Sequence, residues 1–216
     1  MKVIGINGSP RKSWNTETLL TKALEGAAAQ GAETELVYLY DLDFKGCISC
    51  FACKLIDGPH NGICAVHDDL SPLLKKIEEE ADVIILGSPV YFGSMTGEAR
   101  SFIERLLFAP LVYSHPPRSV FPRKIRTGLI HTMNVTEEMS IARGYGAMFK
   151  STEASFRMIF GEAETFCCYD TYQFPDYSKV VMEYMDPAKK AARREEVFPD
   201  DCWKAYEFGC RLASEA

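Results

Sequence analysis

The sequence predicts an α/β protein built on a doubly wound parallel sheet. Three observations carry that expectation. The runs Lys2-Val3-Ile4-Gly5-Ile6 and Val83-Ile84-Ile85-Leu86-Gly87 are short, β-branched and apolar on consecutive positions, which suits strands buried on both faces. Segments with apolar residues at helical spacing, such as Leu19, Leu20, Ala23, Leu24 and Ala27, alternate with them. Polar loops follow the strands, and right-handed crossovers would gather such loops at the carboxyl edge of one sheet. At 216 residues and 47% hydrophobic content the chain can bury one full-sized core, and no repeat or linker divides it, so residues 1–216 read as one domain.

In chain order, the first strand leads into Gly5-Ile6-Asn7-Gly8-Ser9-Pro10-Arg11-Lys12-Ser13-Trp14-Asn15-Thr16, with Asn15 or Thr16 placed to cap the helix that follows. Glu33 to Tyr40 mixes acidic and apolar residues and reads as an edge strand. Residues 44–67 are cysteine-rich and too polar and glycine-rich for a core element. Asp68 or Asp69 then caps a helix bearing Leu73, Leu74 and Ile77, and the Val83 strand follows. Thr96 caps a helix with Ala99, Phe102, Ile103, Leu106 and Leu107 on its apolar face. A proline-rich insertion at 109–124 interrupts the pattern and reads as a lid or subunit contact, with Tyr113 a candidate wall for a substrate. Strands are expected at Thr127–Met133 and Glu164–Tyr172, and helices at 146–160 and from Pro187 onward, where Asp200 or Asp201 caps the last one. Cys202 and Cys210 share a face of that helix, and Cys167 and Cys168 sit mid-strand, all as packing residues.

Composition excludes several classes. A net charge of −6 with scattered basic residues leaves no positive stripe for nucleic acid, and Lys189-Lys190 with Arg193-Arg194 read as a solvated helix face. No apolar run approaches membrane-spanning length and Met1-Lys2 leads straight into a strand, which predicts a cytoplasmic protein. Eight cysteines in that compartment read as reduced thiols or metal ligands, not as a disulfide framework.

The first loop invites an anion, because the free N–H groups and positive dipole end of the next helix point into it. It contains neither Gly-x-Gly-x-x-Gly nor Gly-x-x-x-x-Gly-Lys-Ser/Thr, so neither a dinucleotide turn nor a nucleoside-triphosphate loop is supported. Ser9, Ser13, Asn15 and Thr16 supply neutral donors and Arg11 a charged fork, chemistry suited to a phosphate monoester. At the end of the Val83 strand, Pro89-Val90-Tyr91-Phe92-Gly93-Ser94 places two aromatic residues among small ones, as a flat ring lying against backbone would require. A third polar loop runs from Thr132 to Thr136. Phosphate at one end and a planar ring at the other is the shape of FMN.

Gly8-Ser9-Pro10-Arg11, Gly87-Ser88-Pro89-Val90-Tyr91-Phe92, Phe102-Ile103-Glu104-Arg105 and the cysteine-rich insert followed by Asp68-Asp69 resemble the flavodoxin-like NADPH-dependent FMN reductase family, in its iron-sulfur flavoprotein branch. The resemblance covers about residues 1–135 and leaves the last third without a matching motif. It implies a flavodoxin-like sheet of strand order 2-1-3-4-5 and FMN phosphate at Ser9, Arg11, Ser13, Asn15 and Thr16. It also implies the isoalloxazine along Pro89, Val90, Tyr91, Phe92, Gly93 and Ser94, and a dimer or tetramer.

Cys47-x-x-Cys50-x-x-Cys53 with Cys64 supplies four thiols, the first three at ferredoxin-like spacing and the fourth across a wider gap than the branch's compact motif. A [4Fe-4S] cluster, zinc, and bare thiols beside the flavin all remain open. The expected activity is transfer of electrons from NAD(P)H or a reduced carrier through FMN to a quinone, a flavin or a metal complex. The alternatives are an electron carrier working with a ferredoxin-like partner and, more weakly, a flavin-free zinc-binding or regulatory domain. No catalytic acid or base is identified, and His67, His115 and His131 read as structural or surface residues.

Overall fold

Why the strands lie where they do follows from their two apolar faces. In the computed structural model, which describes residues 1–183 and 185–214, β1 (Lys2–Asn7), β2 (Glu33–Tyr38), β3 (Val83–Pro89), β6 (Ile125–Thr132) and β7 (Gly161–Cys168) form one parallel sheet. Its order is β2-β1-β3-β6-β7, the expected order once the short antiparallel pair β4 (Leu111–Val112) and β5 (Arg118–Ser119) within the proline-rich insertion is counted. Alternate side chains enter different layers, as period-two geometry requires. Ile4, Ile6, Ile84 and Leu86 pack with α2 (Leu70–Glu80), α3 (Gly97–Phe108) and α5 (Tyr145–Phe160). Val3, Val83 and Ile85 pack with α1 (Asn15–Ala29) and α7 (Phe198–Ala213) on the opposite face. Helices α4 (Glu137–Ala142) and α6 (Pro187–Glu196) complete the chain.

Helices α1 and α7 approach so closely that side chains must be absent at the crossing. A Cβ on Gly209 would lie 1.8 Å from the Ala23 carbonyl oxygen, and one on Gly26 would lie 2.0 Å from that of Tyr206. The Cys210 thiol, 3.3 Å from the Gly26 carbonyl oxygen, belongs to this seam, while Cys202 packs partly buried beside the same core. No described helix is long and apolar enough to cross a membrane.

Several expected boundaries shift for local reasons. Asn15 and Thr16 fall inside α1, with Trp14 at the cap position and the Glu17 carboxylate accepting the Ser13 N–H at 2.8 Å instead. Helix α7 starts at Phe198 with Pro199 in its first turn, leaving Asp200 and Asp201 inside the helix. The last strand begins at Gly161 and stops at Cys168 because Asp170 (φ 53°) turns the chain over the end of β6, where the Asp170 and Thr171 N–H groups donate to Val135 and Met133. The basic face of α6 is not solvated throughout. Lys190 is buried against Asp170, and Arg193 pairs with the largely buried Asp201.

Candidate functional site

The chain leaves β1 toward β2 on one side and returns to β3 on the other, so the loops after β1 and β3 face each other across the switch point of the sheet. They are tied together there. The Gly8 N–H donates to the Gly87 carbonyl at 2.8 Å, and the Thr96 hydroxyl donates to the Gly8 carbonyl at 2.6 Å while accepting from the Ala99 N–H, which makes it the expected cap of α3. The Val90 N–H donates to the Thr132 carbonyl, bringing in the third loop.

One recess at this edge is lined by Ser9, Arg11, Asn15, Thr16, Pro89, Val90 and Tyr91, together with Thr132, Met133 and Asn134. Ser13, Phe92, Gly93 and Ser94 are not in its lining. Ser13 is exposed at φ 56° beside the recess. Phe92 and Gly93, at φ 52° and 78°, form the two corners of a tight turn closed by paired Tyr91 and Ser94 backbone hydrogen bonds, which leaves the Phe92 ring fully exposed. Positive φ at both central positions is what such a two-residue turn requires.

The polar residues of the recess divide by commitment. The Asn15 amide donates to the Tyr172 carbonyl at 2.7 Å and its oxygen accepts from Arg194, so it acts as a strut. The Thr16 and Thr132 hydroxyls bond each other at 2.8 Å, and the Ser9 hydroxyl accepts from the Arg11 N–H at 3.2 Å. The Arg11 guanidinium stacks on the Trp14 ring, 4.0 Å from its centroid, and has no carboxylate partner among the described residues. Burial pushes its pKa down, partly offset by the Tyr91 and Tyr177 hydroxyls. A desolvated cation without a counter-ion is poised for an anion.

Trp14, Thr171 and Gln173 also line the recess. Trp14 stood in the loop pattern without a role, whereas Thr171 and Gln173 arrive through the chain reversal after Cys168 and carry no local signal. Helix α6 secures both sides. Lys190 binds the Asn134 carbonyl and the Asp170 carboxylate, and Arg194, one turn on, holds Asn15. His131, on β6, is fully buried with neither ring nitrogen bonded among the described residues, and it stacks on Phe149 at 4.4 Å. Burial lowers its pKa to about 4, so it is a neutral structural residue at pH 7.

A second recess lies against α3. All four cysteines of the insert line it with Phe51, Val66, Arg105 and Phe108. Ser49 and Phe51 adopt left-handed backbone (φ 55° and 57°), winding the chain around Cys50. Gly62 donates its N–H to the Cys53 carbonyl at 3.0 Å, closing the excursion between Cys53 and Cys64. The Lys54 ammonium binds the carbonyls of Phe108, Ala109 and Leu111 at the end of α3 and lies 4.4 Å from the Phe108 ring centroid. Burial raises the Cys53 pKa, opposed by the charge of Lys54. Among the described residues no three His, Cys, Asp or Glu side chains converge on a point where a single metal ion would be held. Tyr113 packs on Phe108, so the proline-rich insertion adjoins this recess and does not line the one at the switch point.

The model describing NADPH-dependent FMN reductases matches residues 1–125. The chain belongs to that family. Within it, the chain is 46% identical over 105 residues to an iron-sulfur flavoprotein of Methanocaldococcus jannaschii, covering 49% of this chain and 51% of that one. It is 36% identical over 129 residues to an iron-sulfur flavoprotein of Archaeoglobus fulgidus, covering 60% of each. The chain thus spans about half the length of the first of these curated relatives, and somewhat more of the second. Among solved structures, an NAD(P)H:quinone oxidoreductase from Methanothermobacter marburgensis superposes with a TM-score of 0.71 at 14% identity over 98% of both chains. An FMN-dependent NADH-azoreductase from Bacillus anthracis gives 0.64 at 14% identity, covering 99% of this chain and 100% of that one. Both likenesses establish the flavodoxin-like fold of this family member.

Proposed function

We propose that this chain is an FMN-dependent oxidoreductase that passes electrons from NAD(P)H or a reduced carrier to a quinone, a flavin or a metal complex. The observation that carries the reading is Arg11, a half-buried cation without a counter-ion among the described residues, set at the switch point among polar loops from three adjacent strands. Arg11 and the Ser9 hydroxyl would take the phosphate, assisted by the amino-terminal N–H groups of α1, with Ser13 at the rim and Asn15 and Thr16 holding the cradle in shape. Pro89 to Ser94 would lie along the ring, with Tyr91 against it and Phe92 projecting beyond.

FMN, when bound, supplies hydride acceptance and the return of electrons singly or in pairs. The chain supplies position: the Gly8–Gly87 and Gly8–Thr96 bonds fix the spacing of the loops, and the neutral, fully buried His131 adds no charge. No residue of the recess is needed as an acid or base.

The four cysteines fit a [4Fe-4S] cluster in donor chemistry, and the reading is supported by their sharing one recess whose backbone is wound by two left-handed residues. A cubane carries its terminal thiolates on four different irons, so its ligands need not converge as zinc ligands do. A second reading, exchange of single electrons with a ferredoxin-like protein, is favoured by the exposed Cys50, Ile48 and Phe51 at the mouth of that recess. A homodimer or homotetramer belongs to the same proposal, supported by the exposed Phe92 and Tyr113 rings.

The anaerobic absorption spectrum is the test, because it reports flavin and cluster together. Protein without a flavin band overturns the FMN reading, and the absence of iron and acid-labile sulfide, expected at about four each per chain, overturns the cluster. Bleaching by NADPH or NADH separates a reductase from a carrier.

A further inference from the structure

Arg105 lies on α3 with its side chain fully buried, and the polar contacts of its guanidinium all go to the cysteine insert or its flanks. Its Nε donates to the Cys64 sulfur at 3.4 Å. Nη1 donates to the Lys45 carbonyl at 3.3 Å and to the Asp68 carboxylate, and Nη2 donates to the Val66 carbonyl at 3.1 Å. Lys45 precedes the first cysteine and Val66 follows the fourth, so one side chain fastens both ends of the insert to the helix. From the same helix, the Glu104 carboxylate accepts the Cys47 N–H at 3.2 Å.

A buried guanidinium is costly unless its charge and donors are matched. Here the single carboxylate partner among the described residues is itself partly exposed, and the Nε donor goes to a sulfur, a weak acceptor as a thiol and a strong one as a thiolate. We infer that Arg105 is the positioning residue of the cysteine centre: it presents Cys64 as the fourth ligand and, by its N–H on that sulfur and its buried charge, favours the reduced state of the centre. This rests on reading the four cysteines as iron-sulfur ligands. It also accounts for the wide gap before Cys64, because the excursion is closed by the Gly62–Cys53 bond and its far end is held by Arg105.

The test uses the full chain prepared without oxygen as wild type, Arg105→Lys and Arg105→Gln. Iron, sulfide and FMN are counted, and the centre is titrated potentiometrically by the EPR signal of its reduced form. Both variants are expected to shift the one-electron equilibrium toward the oxidised form, Arg105→Gln by about tenfold or more, which is 59 mV, and Arg105→Lys by less because it keeps the charge. Lys retains a cation opposite Asp68 and is the variant expected to fold, so it decides the matter if Arg105→Gln loses FMN along with iron. A variant with full iron and sulfide and a wild-type potential overturns the role of Arg105. Wild type lacking iron and sulfide overturns the iron-sulfur reading itself.

Discussion

Replacing Arg11 with alanine separates the phosphate from the rest of the flavin. The guanidinium has no carboxylate partner among the described residues and rests on the Trp14 ring at 4.0 Å, so its removal breaks no ion pair and forfeits a cation–π contact of about 0.5–1 kcal/mol. The fold should survive. A charged hydrogen bond to phosphate contributes about 1.5–3 kcal/mol, so FMN should bind about 10- to 150-fold more weakly. Titrating FMN and riboflavin into flavin-free protein, each followed by quenching of flavin fluorescence, gives the two dissociation constants. Riboflavin lacks the phosphate, and its affinity should be the same for both proteins. Equal weakening of the two ligands would place Arg11 against the ring, and unchanged FMN affinity would remove it from the site.

Lys190→Met would leave Asp170 without its partner and free the Asn134 loop, a loss of about 3–5 kcal/mol in urea unfolding; a change below about 1 kcal/mol would show that the pair is not coupled to the fold. Gly209→Ala would drive a methyl group into the Ala23 carbonyl, and a cost of about 1–3 kcal/mol or more is expected as a lowered Tm, whereas an unchanged Tm would contradict the close crossing of α1 and α7. His131 takes up a proton near 6.5 when unfolded but only near 4 when buried. Its contribution is therefore complete above about pH 6.5 and is lost as the pH falls toward 4, amounting to about 3 kcal/mol across that window. Urea midpoints between pH 7 and pH 4.5 should fall less steeply for His131→Phe than for wild type, and parallel slopes would refute this assignment.

What the sequence made legible was local. Val83 to Gly87 could only be a strand buried on both faces, Thr96 could only begin a helix, and the loops after β1, β3 and β6 had to meet once those strands were parallel neighbours. Residues whose meaning lies in distant partners were not legible. Lys190 and Arg194 looked like ordinary charges on an α6 surface, yet they hold Asn134 and Asn15, the latter 179 positions away. Asn15 looked like a free donor because nothing nearby shows that the Tyr172 carbonyl will reach it. Arg105 stood out in the sequence only within the run Phe102-Ile103-Glu104-Arg105, and it is buried because the insert folds back over it.

Helix α3 begins under the loop that follows β3 and carries Arg105 beside the cysteines. Gly97, the residue after the Thr96 cap, and Arg105 are eight positions apart on one uninterrupted helix, which fixes their axial offset at about 12 Å and their relative angle at about 80°. Phase along the helix therefore sets where Arg105 lies relative to the end of α3 that Thr96 ties to Gly8. Insertions in the loops can be absorbed by slack. A single residue added between Thr96 and Arg105 would swing the arginine by about 100° around the helix and away from Cys64, so the count of residues in this segment is as much a part of the site as their identity.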